Sequence, residues 1–286
     1  MNHLNELNNR ALGSSTNEFN SVKVFINFAE LIASVSSSLS SSLRRDQFIF
    51  IHSNERGIKL MNIILTGSVA VGKSNLMRRL KEEIDKLFVF PEFIDENLIL
   101  STEDEKQLSL EMLRKRFSGE ITPYELQDYI LQRWDDYAQR GKRIDRSRPR
   151  LFERLPDDSV EVFALPIISA DEFTQLKLHL IRTNRTLPSY HLMRGCRTIW
   201  IDYENSFNEE KEREIVKIVK KALTDGLENC IINIRSPGNR NYDNYLHRGR
   251  TEEHYSSDEM KILNARYSAY TEGLIDEIKP LERYTL

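Results

Sequence analysis

Gly67-Ser68-Val69-Ala70-Val71-Gly72-Lys73-Ser74 stands directly behind the apolar run Asn62–Thr66 and opens a segment, 74–86, in which Met77, Leu80 and Ile84 share one helical face. The stretch satisfies the pattern G-x-x-x-x-G-K-S in the strand, turn and helix setting that gives the pattern its meaning. Glycines let backbone N–H groups turn inward on an anion, and the start of the helix adds positive potential. Lys73 can reach the outer phosphates of a nucleotide, and the Ser74 hydroxyl can ligate magnesium. A chance glycine-rich turn meets all four requirements in roughly one chain in a few hundred. Gly67, Ser68, Val69, Ala70, Val71, Gly72, Lys73 and Ser74 are therefore expected to hold the phosphates of ATP. The motif names a ligand and leaves the reaction open.

Outward from this loop, strands alternate with amphipathic helices, which predicts an α/β fold with a parallel sheet covered on both faces. Residues 87–90, closed by Pro91, together with 150–154 and Asn229–Arg235, read as strands, and 198–203 as a possible further one. Between them Tyr124, Gln127, Ile130, Leu131, Trp134, Tyr137 and Ala138 form one stripe at the 3.6-residue period. A last helix is signalled by Ser256 and Glu259 as a capping box, with Met260, Leu263, Tyr267, Tyr270 and Leu274 on one face.

Residues 1–60 differ in texture, Asn-rich and then Ser-rich through 34–42, which predicts a weakly ordered extension ahead of a domain at 61–286. Met61 offers a second start at the first strand. The 286 residues are 40% hydrophobic and 30% charged, with a net charge of −3. That balance offers no general attraction for nucleic acid or an anionic membrane, so binding of phosphate has to be local. Cys196 and Cys230 have neither metal-ligand nor C-x-x-C spacing, and no run of about eighteen apolar residues is present. The expectation is a cytoplasmic protein without a membrane span or nucleic-acid partner. A mitochondrial transit segment, suggested by the early arginines and serines, is opposed by Glu6, Glu18 and Glu30.

Phosphoryl transfer to a hydroxyl needs a carboxylate beside the attacking oxygen, cations around the moving group and a means of excluding water. Glu92 follows the second strand, at the sheet edge where ligands of open parallel sheets bind; it is either a base in the cleft or a solvated turn residue. Glu153 and Arg154 end another strand and read as a magnesium ligand with a steadying guanidinium, or as a surface ion pair. Arg248-Gly249-Arg250-Thr251-Glu252-Glu253 reads as an arginine-rich lid over the phosphates, or as a solvated charge run. Gln127 lies inside an apolar stripe, where an amide needs a partner, either a nucleobase edge or a backbone carbonyl.

In this order the loop, Pro91-Glu92, Gln127-Asp128-Tyr129, Glu153-Arg154 and the 248–253 segment resemble the deoxynucleoside kinase family, which includes cellular deoxycytidine, deoxyguanosine and mitochondrial thymidine kinases, the insect multisubstrate enzyme and viral relatives. The resemblance runs from Met61 to about Tyr270 and implies the three-layer fold of P-loop kinases. By that resemblance Glu92 takes the proton of a deoxynucleoside 5′-hydroxyl, with ATP as donor and Mg2+ as cofactor on Ser74 and Glu153. Gln127 holds the base edge, Arg154 lies next to Glu92, Phe163 stacks on the base, Arg248 and Arg250 clamp the phosphates, and Glu253 meets the sugar 3′-hydroxyl. A homodimer is implied in the same way. Departures are Asn97 in place of a tryptophan, Phe117 where a tyrosine reaches the 3′-hydroxyl, and Asn244 in place of an arginine before the lid. The last strand is expected to be missing and 193–227 to be enlarged. Two other readings stay open: a thymidylate-type nucleoside monophosphate kinase, with 143–150 as a basic pocket, and a kinase-like accessory protein.

Overall fold

The computed structural model describes residues 61–91, 93, 102–141, 148–164, 167–205, 208–236, 240–248 and 252–286. Its strands are β1 (Asn62–Thr66), β2 (Phe88–Phe90), β3 (Arg150–Glu153), β4 (Thr198–Glu204), β5 (Asn229–Arg235) and β6 (Glu282–Thr285). Its helices are α1 (Lys73–Glu83), α2 (Glu103–Ser118), α3 (Pro123–Gly141), α4 (Ala170–Thr183), α5 (Glu209–Thr224), α6 (Arg240–His247) and α7 (Ser257–Ile278). A helical turn, Pro156–Asp158, runs on into a π-helical segment, Ser159–Ala164. The strands form one sheet in the order β2-β3-β1-β5-β4-β6, and every described pair is parallel.

β1 shows why this sheet needs cover on both sides. Successive side chains of a strand point to opposite faces, and here Ile63 and Leu65 enter one core while Ile64 enters the other. On the first face α1 packs Leu76 and Leu80, and α5 packs Ile215 and Val219, against Ile63, Leu65, Ile201 and Ile232. On the second face Trp134 and Tyr137 of α3, with Leu274 and Ile278 of α7, lie against Ile64, Phe90, Phe152 and Ile231. Each aliphatic side chain fully removed from water contributes about 1.5–3 kcal/mol. The near-continuous apolar strands are what a parallel sheet buried on both faces requires.

The expected strands at 62–66, 150–154 and 229–235 are all present, and the possible one at 198–203 is β4, hydrogen-bonded on both sides. The capping box of α7 closes as read: the Glu259 N–H donates to Ser256 Oγ at 3.2 Å and the Ser256 N–H to Glu259 Oε2 at 2.8 Å. The stretch 193–227, expected to be enlarged, supplies β4 and α5 to the sheet and its cover. One expectation needs correcting. A last strand is present: β6 lies parallel to β4, with Arg283 opposite Trp200. Its residues Glu282–Thr285 are mostly exposed and carry no apolar run, so nothing in their pattern announces a strand. Tertiary bonds hold it instead. Arg283 Nε donates to Asp202 Oδ2 at 2.8 Å, and the same carboxylate accepts from Asn233 Nδ2 at 2.8 Å and Arg235 Nη2 at 3.2 Å. Among the described residues no helix is long and apolar enough to cross a membrane. The extension expected at 1–60 lies outside the described residues.

Candidate functional site

β1 ends at Thr66, and the chain turns through Gly67, at φ 136°, and Gly72, at φ 94°, before α1 begins at Lys73. Only glycine occupies such angles without strain. A Cβ on Gly67 would lie 2.3 Å from the carbonyl oxygen of Ile234 in β5, so the loop runs too close to the neighbouring strand for any side chain. The first turn of α1 carries no acidic residue, which leaves its positive end uncompensated. Lys73 is 4% exposed and donates from Nζ to the carbonyls of Gly67 at 3.3 Å and Ser68 at 2.7 Å. Its ammonium is therefore held within the loop.

Beside β1, β3 delivers Glu153 to the same edge. The carboxylate is 2% exposed, and the Ser74 hydroxyl donates to its Oε1 at 3.4 Å. Two hard oxygen donors this close, one of them a buried carboxylate, are of the type that a magnesium ion shares with phosphate oxygens. The next residue, Arg154, has φ 68°, a left-handed conformation costing a non-glycine residue about 1 kcal/mol or more. Its guanidinium sits 5.1 Å from the centre of the Phe163 ring, a cation–π contact. Phe163 also meets Tyr267 of α7 edge-on at 5.8 Å.

Lys73, Ser74, Glu153, Asn244 and Arg248 line one cleft of about 300 Å³ at the carboxyl ends of β1 and β3. Arg248 thus shares a cleft with the loop. Glu253 is 6% exposed, and its carbonyl accepts from the Tyr245 hydroxyl of α6. The Tyr255 N–H donates to that hydroxyl at 3.0 Å, which ties the segment after the arginines to α6. Phe117 meets the Tyr255 ring edge-on at 4.9 Å. Gln127 is 5% exposed, and its Oε1 has no hydrogen-bond partner among the described residues. Glu92, Arg250 and Asn97 lie outside the described residues. So does most of the basic stretch 143–150. Its described members Arg148 and Arg150 lie at the opposite edge of the sheet, where β2 and β3 begin. Arg148 donates there to the Lys86 carbonyl and Arg150 to Asn62 Oδ1, so neither arginine faces the cleft.

Three asparagines complete the site: Asn205 and Asn241, which carry no sequence signal, and Asn244, noted in the sequence only as standing where an arginine was expected. Asn241 Nδ2, Asn244 Nδ2 and Asn205 Nδ2 donate to the carbonyls of Val69, Ala70 and Val71 at 3.2, 3.4 and 2.6 Å. Behind the loop, burial pushes the Asp158 carboxyl up to about 6, although the Leu155 N–H donates to it at 2.9 Å and the Arg154 and Lys73 charges act on it. Next to it Asp157 is also raised by burial, and the Ser189 hydroxyl donates to its Oδ1 at 2.7 Å. The adjacent acids after Pro156 look like the first turn of an exposed helix. Only the packing of Tyr190 and Ser189 over them shows that they are interior.

His191 neutralises part of this acidic interior. Its Nδ1 lies 3.2 Å from Glu277, and its Nε2 lies 4.0 Å from both Glu161 and Asp157, while Lys177 opposes its charge. Hydrogen bonding to Glu161 and Glu277 raises its pKa from 6.5 to about 10. A cation whose pKa rises on folding stabilises the fold below about pH 6.5, and that stabilisation disappears as the pH climbs through 10. Because the side chain is 44% exposed, solvent screens the effect. His191→Gln is expected to cost roughly 1 kcal/mol at pH 6.5 and almost nothing above pH 10.5. Urea unfolding at the two pH values measures this, and a cost independent of pH would show that the imidazolium charge is not what stabilises.

No protein-family model matches the chain, and no curated protein sequence matches it.

Proposed function

We propose that the chain is an ATP-dependent deoxynucleoside kinase of the P-loop type, moving the terminal phosphate of ATP to the 5′-hydroxyl of a deoxynucleoside. The observation that carries this reading is the convergence of Lys73, Ser74, Glu153 and Arg248 on one cleft at the carboxyl edge of a parallel sheet. Cations, a glycine-rich loop and a buried carboxylate are what stabilising a transferring phosphoryl group demands. Mg2+ would be held by Ser74 and Glu153 and would neutralise phosphate charge there. Lys73 and Arg248 supply positive charge at the cleft, Arg154 joins them from the end of β3, and Arg250 is proposed as a second clamp from its place in the sequence alone. Glu92, two residues past β2 in sequence, is the proposed base.

On the acceptor side the reading draws on Gln127, whose buried carbonyl oxygen can take a hydrogen bond from a nucleobase, and on Phe163, whose ring can stack on it. Glu253 is offered to the sugar. A nucleoside monophosphate as acceptor would need a further basic pocket at the cleft. Arg148 and Arg150 do not supply one from the far edge of the sheet.

Incubation with ATP, Mg2+ and each of the four deoxynucleosides, followed by the corresponding monophosphates, tests this directly. The expected product is a deoxynucleoside 5′-monophosphate, resolved by anion exchange. Product from the monophosphates alone would favour the thymidylate-type reading, and none from any acceptor would favour the accessory role. Glu153→Gln is expected to raise the Mg2+ concentration needed for half-maximal rate by roughly 10–100-fold. An unchanged Mg2+ titration would remove Glu153 from the metal site.

A further inference from the structure

The carbonyls of the glycine loop are held by side chains as closely as its turns are held by glycine. Three consecutive carbonyls, of Val69, Ala70 and Val71, each accept from the amide of a different asparagine. In a planar trans peptide the N–H points opposite to the carbonyl of the same unit. Fixing these three carbonyls on the asparagine amides therefore also fixes the N–H groups of Ala70, Val71 and Gly72, the groups with which such a loop grips an anion.

The amides themselves are oriented by further partners. Asn241, fully buried, exchanges reciprocal hydrogen bonds with Asn264 of α7, both at 3.0 Å, and the Tyr203 hydroxyl donates to Asn205 Oδ1 at 3.1 Å. An asparagine whose oxygen is already taken presents its NH2 end elsewhere, and here that end meets the loop. Gly72 takes part: a Cβ there would lie 2.1 Å from Asn205 Nδ2, so only glycine lets the amide reach Val71. Ala70, at φ 57°, is held in a conformation it would leave if free. Asn241 and Asn244 are three residues apart and Arg248 is four further on, all within reach of one face of α6. The same helix surface that grips the loop therefore leads to the arginine in the cleft.

We infer that Asn205, Asn241 and Asn244 are positioning residues, which lock the loop in its anion-gripping shape and root the arginine segment on it. This rests on the reading of the loop as a nucleotide cradle. The full chain is tested with Mg–ADP by calorimetry and with Mg–ATP in initial-rate assays, wild type first and then Asn244→Ala, Asn244→Asp and Asn205→Ala. Wild type is expected to bind Mg–ADP. Each alanine is expected to weaken that binding about tenfold, the worth of roughly one hydrogen bond. KM for ATP should rise in step, while KM for the acceptor and the melting temperature stay close to wild type. Asn244→Asp should be weaker than Asn244→Ala, because its carboxylate faces the Ala70 carbonyl.

If Asn205→Ala does not fold, the two exposed-side variants at Asn244 decide the matter. Mg–ADP affinities equal to wild type, or losses only in proportion to a fallen melting temperature, would overturn the clamp and leave the cradle standing. Failure of the wild-type chain to bind Mg–ADP would overturn the cradle itself.

Discussion

Replacing Lys73 by methionine is expected to lower kcat about 10³-fold or more while leaving the protein folded. The side chain lies almost wholly inside the loop, with Nζ on the carbonyls of Gly67 and Ser68. Methionine keeps its length and straight shape and removes only the charge. The two carbonyls lose a donor, a cost of about 1 kcal/mol each at most, offset by no longer having to desolvate an ammonium. On the proposed reading, what disappears is the fixed positive charge beside the terminal phosphate of ATP, where a low local dielectric makes it most effective. Arginine would not replace it, since the wider guanidinium does not fit a pocket cut for an ammonium. Initial rates with ATP and the preferred deoxynucleoside, with far-ultraviolet circular dichroism as the folding control, measure the outcome. A variant keeping more than about a tenth of the wild-type kcat would exclude Lys73 from the chemistry.

The second large effect is on stability. Gly67→Ala and Gly72→Ala both place a Cβ on a left-handed residue, yet their neighbours differ. At Gly67 the new atom would meet a β5 backbone carbonyl at 2.3 Å, whereas at Gly72 it would meet a side-chain amide at 2.1 Å. A strand in the middle of a sheet cannot move aside without breaking its ladders, but an asparagine can rotate away at the expense of one hydrogen bond. Gly67→Ala is accordingly expected to cost about 3 kcal/mol or more, lowering the melting temperature by roughly 6–12 °C. Gly72→Ala should cost about half as much in stability and lose nucleotide affinity instead. Thermal unfolding of both variants checks the order, and equal shifts would mean that contact with β5 does not decide the outcome.

The parts of this architecture that were legible in the chain are those whose signal is local. β1, β3 and β5 announce themselves as apolar runs, the loop by its glycines and Lys73, and α7 by the Ser256–Glu259 box. Gln127 was recognisable as a polar residue on a buried stripe, and it is buried. β6 was not legible, because an edge strand of charged residues is defined by what it pairs with, here Asp202 and β4. For the same reason Asn205 and Asn241 looked like ordinary loop and helix asparagines, and Asn244 stood out only as the replacement of an arginine. Their role depends on carbonyls 134 to 174 positions away in the chain. The sense in which Asp157 and Asp158 are interior also depends on partners 32 positions onward.

β1 occupies the centre of the sheet, and its two neighbours arrive late. Asn62 is partnered by Arg150, 88 positions on, and by Asn229, 167 positions on. While the chain emerges vectorially during synthesis, four buried residues of β1 have no flanking strand until β3 has been made, and none on the second side until β5 follows. Long-range pairing of this kind slows folding, because chain closure has to precede the contacts that reward it. The carbonyl of Ile234 that shapes the turn at Gly67 belongs to that second strand. The glycine-rich turn is thus among the last features to acquire its geometry, and a nascent chain stalled before residue 229 would carry the motif without its folded shape.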